Sequence, residues 1–128
     1  MAGLILKLRP NESVMINGAV IENGDRKTRL RIKTENANVL RLKDALTREE
    51  ATTPLKQAYF VAQQAVAGEI PNDTAASMLA DALHYLKLRS PEDQHAMLDA
   101  AADFLQDDRF FGVMRTLGGI IKEETQAA

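Results

Sequence analysis

The chain has 128 residues, 45% of them apolar and 27% charged, with no cysteine and no tryptophan. That balance builds an ordinary globular domain and excludes a disordered tail, a disulfide scaffold, thiolate metal sites and cysteine nucleophiles. The net charge of −2 hides a division: residues 1–56 hold eleven Lys/Arg against seven Asp/Glu, and residues 57–128 hold five against eleven.

The opening "MAGLILKLRP" lacks the basic leader, long apolar core and cleavage site of a signal peptide. No apolar run approaches the roughly eighteen residues that cross a bilayer, so a cytoplasmic protein without a membrane partner is expected. "LILKLR" alternates, with Leu4, Leu6 and Leu8 on one side and Ile5, Lys7 and Arg9 on the other. Pro10-Asn11 signals a turn, "SVMI" a strand, and Asn17-Gly18 the dipeptide that most favours a type I′ hairpin. "AVIE" leads to a second such pair, Asn23-Gly24, and then to "RKTRLRIK" at residues 26–33. A turn at "TENAN" precedes "VLRL". These stretches predict about five short strands in an antiparallel β-meander over residues 1–46.

From residue 47 the period becomes helical. Thr47 and Glu50 have capping-box spacing, and Thr53-Pro54 offers a second helix start. "LKQAYFVAQQAVAG" ends at Gly68, which is placed as a C-terminal cap. In "TAASMLADALHYLKL" the residues Ala75, Met78, Leu79, Ala82, Leu83 and Leu86 share a stripe. Ser90-Pro91 should cap a third helix with Met97, Leu98, Ala101, Phe104 and Leu105 on its inner face. "RFFGVMRTLGGIIKEE" is helical by period, weakened at Gly118-Gly119 by about 1 kcal/mol per glycine, and the tail "TQAA" should fray. The fold class is therefore α+β: a basic β-meander at 1–46, then an acidic bundle of about four helices at 47–128, packed as one compact unit. Fewer than about fifty residues form a marginal core, so the β part should pack on the helices or pair with a second copy through its strand edges.

Catalytic chemistry finds little support. His84 and His95 have no metal-binding spacing, the glycines follow neither dinucleotide nor P-loop patterns, and Asp99, Asp103, Asp107 and Asp108 read as a solvated helix face. No enzyme activity, cofactor or metal is expected. The basic strand is the strongest signal. Thr28, Leu30 and Ile32 should face a core, leaving Lys27, Arg29, Arg31 and Lys33 outward in a row about 20 Å long. Lys7 and Arg9 on the first strand and Arg41 and Lys43 on the last should join them, so that eight cations share one sheet face. A face kept only for solubility usually mixes signs, and a polyanion would relieve the crowding by releasing counterions. Guarding of sheet edges against aggregation accounts for the same residues in another way. The β part contains no aromatic residue, so stacking on an aromatic platform is unavailable and RNA would be held through its phosphates, by arginine stacking and backbone contacts, with the arginines also reading bases. Tyr59, Phe60, Phe104, Phe110 and Phe111 either pack the helical core or line a groove for a protein partner.

On these residues the chain resembles the FlbT family of flagellum biosynthesis repressors. The opening Leu8-Arg9-Pro10-Asn11-Glu12 with Ile16, Val20-Ile21 and Asn23, and the junction Ala51 through Tyr59, match motifs of that family in order. The resemblance implies a post-transcriptional regulator that binds the 5′ untranslated region of flagellin mRNA, lowers its translation and promotes its degradation. It also implies a FlaF-like flagellar activator protein as a partner. The β part is distantly similar to carbon storage regulators of the CsrA class, which bind RNA as strand-exchanged homodimers through their first and last strands. The corresponding positions are Leu4 to Lys7 and Arg41 to Asp44, with Lys43 standing where that class has arginine. The competing reading is an adaptor or secretion chaperone that grips a flagellar component through its helices.

Overall fold

A computed structural model of the chain describes residues 4–35 and 37–127. It divides into two compact units, one ending at Ala45 and one beginning at Leu46. As the α+β reading requires, the first holds five antiparallel strands and the second four α-helices.

The strands are β1 (Leu4–Leu8), β2 (Ser13–Ile16), β3 (Ala19–Glu22), β4 (Thr28–Ile32) and β5 (Val39–Arg41). They do not pair in the order of a simple meander. β1 pairs with β4 in a two-stranded ribbon, and a second sheet runs β3-β2-β5. Only β2 and β3 are consecutive partners, joined by Asn17 at φ 51° and Gly18 at φ 87°, the left-handed pair that a type I′ turn requires. Asn23-Gly24 makes no such hairpin. The Asn23 side-chain amide instead donates to the carbonyls of Arg9 at 2.7 Å and Arg26 at 2.8 Å. It thereby pins the β3–β4 loop to the β1–β2 turn and sends β4 across to β1. Of the expected turn at 34–38, Asn36 lies outside the described residues.

Alternation sets the inner face. Leu6, Leu8 and Val14 are buried, with Ile16, Leu30, Ile32 and Val39 packed against them, so both sheets feed one small core. The expected alternation is present in β4, where Leu30 and Ile32 turn inward and Arg29 and Arg31 outward. It fails after Arg41, where the backbone leaves the sheet for a single 3-10 turn, Leu42–Asp44.

In the second unit Thr47 and Glu50 exchange hydrogen bonds as a capping box should, Thr47 N–H to Glu50 Oε1 at 2.9 Å and Glu50 N–H to Thr47 Oγ1 at 3.3 Å. They close an isolated turn. The helix α1 (Pro54–Val66) starts at the second signal, with Thr53 Oγ1 accepting from Lys56 N–H at 3.2 Å and proline in the first turn. It stops at Gly68, φ 75°. There Gly68 N–H bonds Ala65 O and Glu69 N–H bonds Gln64 O, the paired pattern of a Schellman motif. α2 (Asn72–Arg89) buries Ala75, Leu79, Leu83 and Leu86, but Met78 is left exposed. Ser90 closes α2 rather than capping the next helix. Glu92–Gln94 forms a 3-10 turn, and α3 (His95–Gln106) follows. α4 (Phe110–Ala127) continues through the tail expected to fray; Ala128 lies outside the described residues.

α1 and α3 each pack against both α2 and α4, a closed square of helices. Gly118 and Gly119 do not break α4, because their missing side chains are used. A Cβ on Gly118 would lie 3.1 Å from Tyr59 Cε2, and one on Gly119 3.1 Å from Met97 Cε. The propensity cost of glycine is offset by closer helix approach. Among the aromatics only Phe110 is buried. Phe60, Phe104 and Phe111 are half-buried, each with a guanidinium over its ring: Arg48, Arg109 and Arg115 at 5.3, 5.4 and 5.9 Å. They serve as core edge rather than as an open aromatic groove.

Candidate nucleic-acid interface

Two successive rungs of the β1–β4 ribbon and its end gather the cations. Lys7 lies opposite Arg29 and Leu8 opposite Thr28; directly opposed residues of an antiparallel pair share a face. Arg9 and Lys27 follow at the ribbon's end. Arg41 and Lys43 close the other side, and the eight residues line a shallow depression of about 590 Å³. Six of the eight cations singled out from the sequence therefore meet in one place.

Arg31 and Lys33 do not. Arg31 is exposed opposite Ile5, and Lys33 follows the end of β4. Arg31 shares the ribbon face of Arg29, one alternate position further along β4, so it and Lys33 lie beyond the depression. Lys43 reaches the depression from the 3-10 turn rather than from a strand.

Arg41 has a different task from its neighbours. Its Nη1 meets Glu12 Oε2 at 3.0 Å and its Nη2 donates to the Lys7 carbonyl at 2.9 Å. The Glu12 side chain is only 7% exposed, and its other oxygen accepts the Arg9 N–H at 2.9 Å. One carboxylate thus ties the β1–β2 turn to β5. The hydrogen bond from the Arg9 amide, with the charges of Arg41 and Lys43, holds the Glu12 carboxyl below its ordinary range, although partial burial opposes this. Arg41 is a positioning residue whose charge still adds to the depression. Sequence reasoning placed Glu12 in a family motif and gave it no task in the site. Its signal was an acid immediately after Pro10-Asn11, where a carboxylate can accept from the turn's own backbone.

His95 Nε2 lies 3.1 Å from the Ser90 carbonyl, and His84 is exposed on α2. Among the described residues no three His, Cys, Asp or Glu side chains gather as metal ligands, and no helix is long and apolar enough to cross a membrane.

Fold and site together define a small α+β protein with a cation-lined sheet depression and a separate helical bundle. The chain belongs to the FlbT family: the family described as "Flagellar protein FlbT" matches residues 4–128. A relative from Caulobacter sp., named probable flagellum biosynthesis repressor protein FlbT, is 47% identical over 57 residues, 44% of this chain and 43% of that protein. The similarity to that relative thus spans less than half of its length. Relatives of the same name reach further at lower identity. The one from Brucella anthropi is 32% identical over 88% of this chain and 73% of its own. The one from Rhodopseudomonas palustris is 29% identical over 96% of this chain and 95% of its own. No solved structure matches the chain.

Proposed function

We propose that the protein is a repressor in flagellum biosynthesis that acts after transcription. It binds the 5′ untranslated region of flagellin mRNA through the β-ribbon depression, lowers translation and promotes degradation of the transcript. The observation that carries this reading is the convergence of Lys7, Arg9, Lys27, Arg29, Arg41 and Lys43 around one depression. Like charges gathered this closely repel unless an anion occupies the space between them, and a phosphate backbone supplies anions in series. The first unit has no aromatic side chain to stack on bases, so the depression holds backbone and leaves base stacking and sequence readout to its arginines. The names of the relatives support the repressor role, and the separation of a basic unit from an acidic one suits a protein that holds RNA with one part and a protein such as the FlaF-like activator with the other.

The test is binding of a flagellin leader RNA by two double variants, each removing two cations and adding two acids. Lys27→Glu with Arg29→Glu strikes the depression and should weaken binding at least tenfold. Arg31→Glu with Lys33→Glu changes net charge equally outside the depression and should weaken it only slightly. Equal losses would transfer the role to the general charge of the unit.

The adaptor reading rests on a different observation. Met78 and Tyr85, 48% and 42% exposed, line a groove of about 400 Å³ between α1 and α2. If neither double variant changes RNA binding and a groove variant such as Met78→Asp abolishes it, the helical unit is the functional surface.

A further inference from the structure

One strand edge in the first unit is unguarded. β3 is the outer strand of its sheet, and all four of its residues are exposed, Val20 at 66% and Ile21 at 40%. The two strands of the ribbon carry protection. The Arg41 guanidinium covers the Lys7 carbonyl of β1 at 2.9 Å, and β4 presents Arg29 and Arg31 to solvent. β3 has no Lys, Arg or Pro and no bulge in its pairing with β2, three of the devices that keep an edge from pairing; its one charge is Glu22 at its end.

The hydrogen-bond phase fixes which groups are open. Asn23 N–H bonds Glu12 O at 2.8 Å, and the register runs Val14 opposite Ile21 and Ile16 opposite Ala19. Bonded pairs alternate along an antiparallel ladder, so Ala19 and Ile21 spend their amides on β2. The N–H and C=O of Val20 and Glu22 point to the open side.

We propose that this edge pairs with β3 of a second copy of the chain, antiparallel about a two-fold axis at Ile21. In that register Val20 faces Glu22 of the partner subunit, and each such pair exchanges two backbone hydrogen bonds, four in all. Ile21 then faces its own copy at a non-bonded rung, where side chains approach most closely. Ile21 shares a face with the fully buried Val14, so the contact continues the small core of each copy into that of the other. The two three-stranded sheets become one of six strands. This inference stands independently of RNA binding.

The absence of cysteine from the chain makes the test clean. Sedimentation equilibrium of the full chain should give a concentration-dependent species of twice 14.1 kDa. Ile21→Cys should cross-link into a covalent dimer on mild oxidation, at least tenfold faster than Leu88→Cys on the exposed face of α2. Val20→Pro removes an N–H that faces outward, so β2–β3 pairing survives while dimerisation falls at least tenfold; unchanged far-UV dichroism verifies folding. A monomer at all concentrations overturns the proposal. So does a dimer that persists in Val20→Pro, or cross-linking at equal rates in the Ile21→Cys and Leu88→Cys variants.

Discussion

Glu12 connects the β1–β2 turn to β5 through a single carboxylate, accepting from the Arg9 amide and from the Arg41 guanidinium. Its folded pKa lies below its ordinary value, so its stabilisation is present at neutral pH and is lost as pH falls through the acid range. Glu50, whose carboxyl is lowered chiefly by the Thr47 amide, changes in the same sense. Glu12→Gln should therefore be less stable than the parent at neutral pH, and the difference should shrink in acid, read by urea titrations at several pH values. Gly112 shows the opposite kind of residue, one defined by what it lacks. A Cβ there would lie 2.6 Å from the Phe104 ring. Overpacking of this kind costs about 1–3 kcal/mol, against about 1 kcal/mol of helix propensity recovered. Gly112→Ala should thus lower stability by up to about 2 kcal/mol, whereas Gly24→Ala, with nothing within 4 Å, should change it little; thermal melts of both check the pair. At this scale the alternation of cations from Lys27 to Lys33 was legible, because neighbours in a strand reveal their faces by order alone. The role of Arg41 was not, because its partners Glu12 and Lys7 lie 29 and 34 positions away.

Elements were legible wherever the signal was a local backbone demand. Asn17-Gly18, Thr53-Pro54 and Gly68 each did in the fold what their chemistry requires. Asn23-Gly24 and Ser90-Pro91 carried equally good local signals and were overridden, the first by side-chain bonds to Arg9 and Arg26, the second by the continuation of α2 to Arg89. Gly68 gives the cleanest measurement of a stop signal. At φ 75° an alanine is strained with open space around it, so Gly68→Ala should cost about 1 kcal/mol through backbone conformation alone. Chemical denaturation followed by helical dichroism reads that loss. Gly118 and Gly119 were misread as weak points because a helix period cannot show that Tyr59 and Met97 fill the space above them.

At the scale of the molecule, pairing was the part that order in the chain could not supply. Strands adjacent in sequence predict a meander; the structure instead joins β1 to β4, passing over β2 and β3, and thereby builds the depression from Lys7, Arg9, Lys27 and Arg29. The charge division between the two parts was already visible in the sequence, and it is the pairing that turns a general excess of cations into a localised one. With Arg41 committed to Glu12, five cations remain to meet phosphates. The most direct test is therefore the salt dependence of leader-RNA binding by the parent chain. At about 0.7 counterions released per phosphate of a single strand, log affinity should fall against log salt with a slope of about −3 to −4. In Lys27→Ala with Arg29→Ala the slope should become shallower by about 1.4. A parent chain that binds the RNA with a slope near zero, or the same slope in the variant, would contradict the account.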